Sequence, residues 1–175
     1  MSIDQPLSAP PSIEAFMAQA VAMELEASQR YADLADAMDV HNNAEVSALF
    51  RKMAIIEGRH AEQVMAQMGW SELPMQPRAP GWEGCEAAET VPSDEIHYLM
   101  QPWHALQLAL AAEQRAERFF THLASIATDT AVRQAALELQ EEEREHVELI
   151  QAWLKKVPQP EADWAVDPDP PHYTD

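Results

Sequence analysis

A single cysteine, Cys85, stands among the 175 residues, so the chain cannot supply the four thiolates of an iron site built wholly from cysteine. Glycine is scarce too, at 4 residues, which suits long helices. Basic side chains are outnumbered, 11 Lys and Arg against 30 Asp and Glu, for a net charge of −19. That balance opposes binding to nucleic acid or to an anionic membrane. It can attract cations, or simply keep the surface solvated. No apolar run approaches the ~20 residues needed to span a bilayer. The N-terminus Met1-Ser2-Ile3-Asp4-Gln5 lacks the basic and apolar regions of a signal peptide, which makes the cytoplasm the expected location.

Against these absences stand four long amphipathic segments within a chain that is 47% hydrophobic, a composition and length that fit one helical domain. Apolar residues recur at spacings of three and four, the period of a helix face. The first stripe reads Ile13, Met17, Ala20, Glu24, Ala27, Tyr31, Leu34, Met38, and the second Val46, Phe50, Met53, Glu57, His60, Val64, Met68. The third reads Leu106, Ala109, Glu113, Ala116, Phe120, Leu123, Ala127, and the fourth Val132, Ala136, Leu139, Glu143, His146, Ile150, Trp153. Four glutamates and two histidines interrupt the stripes. Glu57-Gly58-Arg59-His60 and Glu143-Arg144-Glu145-His146 are both Glu-x-x-His segments, which aim a carboxylate and an imidazole from one helix face.

A buried carboxylate without a partner costs several kcal/mol, so four in one core need protonation or bound cations. Two divalent ions carry +4 and balance four carboxylates, with both imidazoles neutral. Hairpin geometry gives a second check, because facing residues lie equally far from the turn between their helices. The midpoint of Glu24 and Glu57 falls at about position 40, in the polar break Asp39-Val40-His41-Asn42-Asn43. That of Glu113 and Glu143 is Thr128, beside Asp129. The halves also look like copies: Tyr31, Leu34 and Ala35 follow Glu24 at the same offsets as Phe120, Leu123 and Ala124 follow Glu113.

The expected fold is all-α, an antiparallel four-helix bundle with a long crossover between helices two and three. Residues 1–11 form an N-terminal extension, 12–156 the bundle, 70–100 the crossover and 157–175 a tail rich in Pro and Asp. Helix one should run from the N-cap Ser12 to about Met38, and helix two from about Asn43 to Met68, where Gly69 stops it. Helix three should occupy about 102–126 with Pro102 in its first turn, and helix four about 129–156. Ser93-Asp94-Glu95-Ile96 reads as a short helix within the crossover. Pro168, Pro170 and Pro171 exclude the tail from being a further bundle helix.

The segments Met23-Glu24-Leu25-Glu26-Ala27-Ser28-Gln29-Arg30-Tyr31, Glu57-Gly58-Arg59-His60, Ala112-Glu113-Gln114-Arg115-Ala116-Glu117-Arg118-Phe119-Phe120 and Glu143-Arg144-Glu145-His146 resemble the ferritin-like superfamily, in particular its rubrerythrin-type diiron carboxylate members. The resemblance covers roughly residues 12–156. It implies that Glu57 and Glu143 bridge or flank two irons, that His60 and His146 each cap one, and that Glu24 and Glu113 are terminal carboxylates. Two departures stand out. Many peroxide-reducing rubrerythrins carry a further glutamate three residues after the helix-three ligand, where this chain has Ala116; Glu117 is rotated about 100° around the helix. Rubrerythrins also commonly carry a rubredoxin domain, which one cysteine cannot build, so an electron donor would be a separate protein.

The resemblance implies a non-haem diiron oxidoreductase, rubrerythrin-like peroxidase or ferroxidase, that oxidises Fe2+ and reduces hydrogen peroxide or dioxygen. Carboxylate and imidazole ligands suit Fe or Mn alike. A hydroxylase of an organic substrate is a second reading, with room left by Ala20, Ala27, Ala109 and Ala116. A metal-free or zinc-filled structural bundle is the third. Tyr31 is read either as a core aromatic or as a hydroxyl placed beside the metals. Glu141, Glu142 and Glu145 read as a solvated face. The nine methionines read as core filler and Cys85 as an incidental thiol, while Trp164 and His172 dock on the bundle or on a neighbour. Exposed tryptophans on an acidic surface fit a homodimer.

Overall fold

The computed structural model describes residues 12–74 and 97–167. Within them run four helices: α1 Ile13–Val40, α2 Ala44–Met68, α3 Pro102–Ile126 and α4 Thr130–Leu154. Each begins where the local chemistry provides a cap. Ser12 Oγ accepts from Ala15 N at 3.1 Å, Asn43 Oδ1 from Val46 N at 3.3 Å, and Asp129 Oδ1 from Ala131 N and Val132 N at 2.7 and 3.0 Å. These satisfy N–H groups that a helix start leaves without partners. Pro102 sits at the first position of α3, where its missing N–H costs nothing. At the end of α2, Gly69 adopts φ 69°, and Gly69 N and Trp70 N donate to Ala66 O and Met65 O. This is a Schellman closure, and a Cβ would be strained there. The α1–α2 turn similarly uses Asn42 at φ 57°, which asparagine tolerates better than most residues.

α1 packs along α2 and α3 along α4, and the two hairpins meet through α2 with α3 and α1 with α4. The core consists of two apolar clusters. One holds Phe16, Ala20 and Val21 from the start of α1, Val64 from the end of α2, Phe120 and Leu123 from the end of α3, and Val132 and Ala136 from the start of α4. The other holds Leu34 and Met38, Val46 and Phe50, Leu106 and Ala109, and Ile150 from the opposite ends of the same helices. α1 and α4 therefore run one way, α2 and α3 the other. Met68 and Pro102 lie at opposite ends of a bundle about 37 Å long, the length of 25 helical residues, so the connection from α2 to α3 crosses its whole length.

The caps and boundaries read from sequence agree with these helices to within about two residues. Two features differ. Met100, assigned to the crossover, is 2% exposed and belongs to the second cluster, where Asn43 Nδ2 also donates to its carbonyl. The described tryptophans are half-buried and not exposed: Trp164 packs on His104 with ring centroids 3.7 Å apart, and Lys52 Nζ lies over Trp153. Ser93–Ile96, Cys85 and His172 lie outside the described residues. Among those described, no helix is long and apolar enough to cross a membrane.

Candidate metal centre

Between the two apolar clusters lies a polar layer. Glu24, Glu57, Glu113 and Glu143 are buried, as is His146; His60 is mostly buried, with 15% of its side chain exposed. The layer exists because each helix replaces a core residue with an ionisable one at the same distance from its hairpin turn. Two groups are close enough to hold an ion: Glu57, His60 and His146, and Glu113, Glu143 and His146, with one ligand atom of each residue within 4.8 Å of the others. His146 belongs to both. Glu24 reaches the first group through its Oε1, 3.9 Å from His60 Nδ1.

The imidazoles face one another across the hairpins, ring centroids 4.5 Å apart. Their surroundings differ. His146 Nδ1 lies 3.1 Å from Glu113 Oε2, a hydrogen bond when that nitrogen carries the proton, with Glu143 Oε2 at 3.6 Å and Glu57 Oε1 at 3.8 Å. Burial lowers its pKa, but the Glu113 hydrogen bond and the charges of Glu57, Glu113 and Glu142 outweigh that and raise it above the usual value. His60 goes the other way, down to about 4, through burial first and the neighbouring His146 second. Glu57 is pushed well above the carboxylate range by burial, reinforced by Glu113 and Glu24. Without cations the layer holds charge poorly.

Tyr31 is 1% exposed and stacks on Phe50 at 6.0 Å, and its hydroxyl donates to Glu113 Oε1 at 3.1 Å. It is thus both a core aromatic and a hydroxyl at the layer, reaching from α1 to α3. The matching Phe120 packs edge-on against Phe16 and has no such group to offer. Ala116 is fully buried, and Glu117 is half-buried and belongs to neither group of candidate ligands.

Glu142, read from the sequence as part of a solvated face, also reaches the layer. Its side chain is 41% exposed, and its Oε2 lies 3.9 Å from His60 Nδ1. Burial raises its pKa. The signal that could have found it is its spacing four residues before His146, which puts both on one face of α4.

Do these donors fit a metal? Glu57 Oε1 and His60 Nδ1 are buried and make no hydrogen bond. Orphaned acceptors of this kind are costly, and the donor set of carboxylates and imidazoles is the one hard and borderline divalent ions take. The residues fit.

Helix pairs that surround a buried layer of glutamates and histidines define the class of four-helix carboxylate proteins. A model of the Rubrerythrin family matches residues 15–98, and one of the Ferritin-like domain matches residues 103–173, so the two matches divide near the crossover. The chain belongs to the ferritin-like superfamily, and its first hairpin is similar to the rubrerythrin family. A solved structure of an uncharacterized conserved protein from Magnetospirillum magnetotacticum MS-1 is 32% identical, covering 86% of this chain and 98% of that one with a TM-score of 0.64. No curated protein matches.

Proposed function

We propose that this protein is a non-haem diiron oxidoreductase that oxidises Fe2+ and reduces hydrogen peroxide or dioxygen, in iron handling or peroxide defence. The observation that carries the reading is the buried layer itself: four carboxylates and two imidazoles between two apolar clusters, with Glu57 Oε1 and His60 Nδ1 making no hydrogen bond. Glu24, Glu57 and His60 would hold one ion and Glu113, Glu143 and His146 the other, with Glu57 near enough to His146 to be shared. Two adjacent iron or manganese ions supply two electrons, the number that takes hydrogen peroxide to water.

The chain's own residues have separable tasks. Glu113 accepts from both Tyr31 and His146, so its carboxylate is oriented from both hairpins. Tyr31 also places one phenolic proton at the layer. His146 would hold an ion through a neutral ring nitrogen, so loading would release any proton that nitrogen carries. The apolar clusters above and below exclude bulk water and strengthen each charge interaction. The single cysteine cannot build a four-thiolate centre from these residues.

Elemental analysis of protein produced with iron, beside a Glu57→Ala, Glu143→Ala double variant, tests the proposal. Two irons per chain in the parent and none in the variant are expected. A folded parent without metal would leave a structural bundle in its place.

A further inference from the structure

The acidic run Glu141-Glu142-Glu143-Arg144-Glu145 faces in several directions. Arg144 Nε donates to Glu141 Oε2 at 2.9 Å, and Arg144 Nη1 to Glu148 Oε1 at 2.7 Å, holding both glutamates at the exposed surface. Glu145 is exposed and Glu143 is buried in the layer. Glu142 does neither. It turns across to α2, where its Oε2 approaches His60 Nδ1 to 3.9 Å, and its side chain remains 41% exposed.

That nitrogen is the point of interest. His60 Nδ1 is buried and makes no hydrogen bond, and it has carboxylate oxygens at 3.9 Å from two helices, Glu24 on α1 and Glu142 on α4. At this distance neither pair is a hydrogen bond. Donors that each lie about 2.1 Å from one ion stand roughly 3–4 Å apart, so the spacing is that of atoms waiting for a common ion. The four carboxylates of the layer, Glu24, Glu57, Glu113 and Glu143, are buried, whereas Glu142 touches solvent as well as approaching His60.

We propose that Glu142 is a fifth carboxylate of the metal centre, binding the ion at His60 from the solvent side. The inference rests on the dimetal reading and deepens it. It makes the two ion positions unequal: the one at His60 has a ligand free to move with solvent, and the one at Glu113 and Glu143 is enclosed. An ion exchanging with solution meets Glu142 before any buried carboxylate, so the His60 position should load and empty first.

Co2+ titration, followed by calorimetry and by visible absorption, tests this on the full chain, comparing the parent with Glu142→Gln and with Glu145→Gln as a control for surface charge. Both substitutions lie at solvent-contacting positions, and matching thermal melts of the metal-free proteins would establish that both fold. The expected result is two Co2+ in each protein, with one of them bound about 10–100-fold more weakly in Glu142→Gln, an altered absorption band for that ion, and no change in Glu145→Gln. Parent affinity and spectrum in Glu142→Gln would overturn the proposal, as would an equal loss in Glu145→Gln. A parent that takes up no Co2+ would remove the dimetal reading and this proposal with it.

Discussion

His60 on α2 and His146 on α4 occupy matching places in their hairpins, each three residues after a buried glutamate, and their rings stack on one another. Yet the same imidazole chemistry is pulled in opposite directions. His146 is wrapped by carboxylates and hydrogen-bonds to Glu113, which favours its cationic form. His60 has no hydrogen bond at Nδ1 and faces His146, so burial and like-charge repulsion favour its neutral form. A repeated motif fixes which side chain faces the layer; the environment on each side sets its acid–base behaviour. The same holds for Tyr31 and Phe120, equivalent in the repeat, of which only Tyr31 carries a hydroxyl, donated to Glu113.

The largest expected effect comes from deleting the two histidines one at a time. His60→Ala should retain the ion at Glu113 and Glu143, so that metal content falls from two to one per chain. His146→Ala removes a group close enough to serve both positions and should lose more than one. Metal analysis after equilibrium dialysis separates these outcomes, and equal losses would dissolve the contrast. With metal at about 100 times its dissociation constant, stabilisation of about 2.7 kcal/mol is expected and should shrink in both variants.

Next in size is Tyr31→Phe, which leaves Glu113 without one of its donors. A hydrogen bond to a charged acceptor contributes roughly 1.5–3 kcal/mol, so denaturant unfolding of the metal-free protein should show a loss within that range. Phe120→Tyr should also destabilise, by burying a hydroxyl among Phe16 and Phe119. A neutral Tyr31→Phe would mean that the hydroxyl does not orient Glu113.

The pH dependence of the metal-free protein sharpens the comparison further. His60 has a folded pKa depressed to about 4, below the ~6.5 of an unfolded chain. Its contribution to stability is present above about 6.5 and is lost as pH falls towards 4. His146 has a raised folded pKa, so its contribution is present below about 6.5 and is lost as pH rises through the folded value. Glu57, also raised, has the same sign as His146. Histidine ring NMR should show His146 protonating first as pH is lowered, and His60→Gln should flatten the acid side of the stability profile. Reversed order would refute the assignment.

The smallest effects belong to the hairpin turns. Asp129→Ala should cost about 1 kcal/mol through the lost cap. Asn43→Ala should cost more, because Asn43 also donates to Met100 O and ties the end of the crossover to the first hairpin. Thermal melts of the two variants would show whether that tie contributes.

The four helices, their caps and the two turns were readable in the chain because each rests on short-range chemistry: a three-and-four periodicity, Ser12, Asn43 and Asp129 at helix starts, Gly69 at a stop. The six buried ionisable groups could be read for the same reason, as interruptions of apolar stripes. Met100 could not, since its neighbours in sequence form no stripe and its burial comes from joining the second apolar cluster. Nor could Glu142: one residue from Glu143, it lies about 100° around the helix, and whether that direction meets water or His60 depends on how closely α4 approaches α2. Periodicity places a side chain on its own helix. Only the packing of four helices decided that Tyr31 would reach Glu113 in the other hairpin and that the pKa of His60 would fall while that of His146 rises, because distances between helices set those electrostatics.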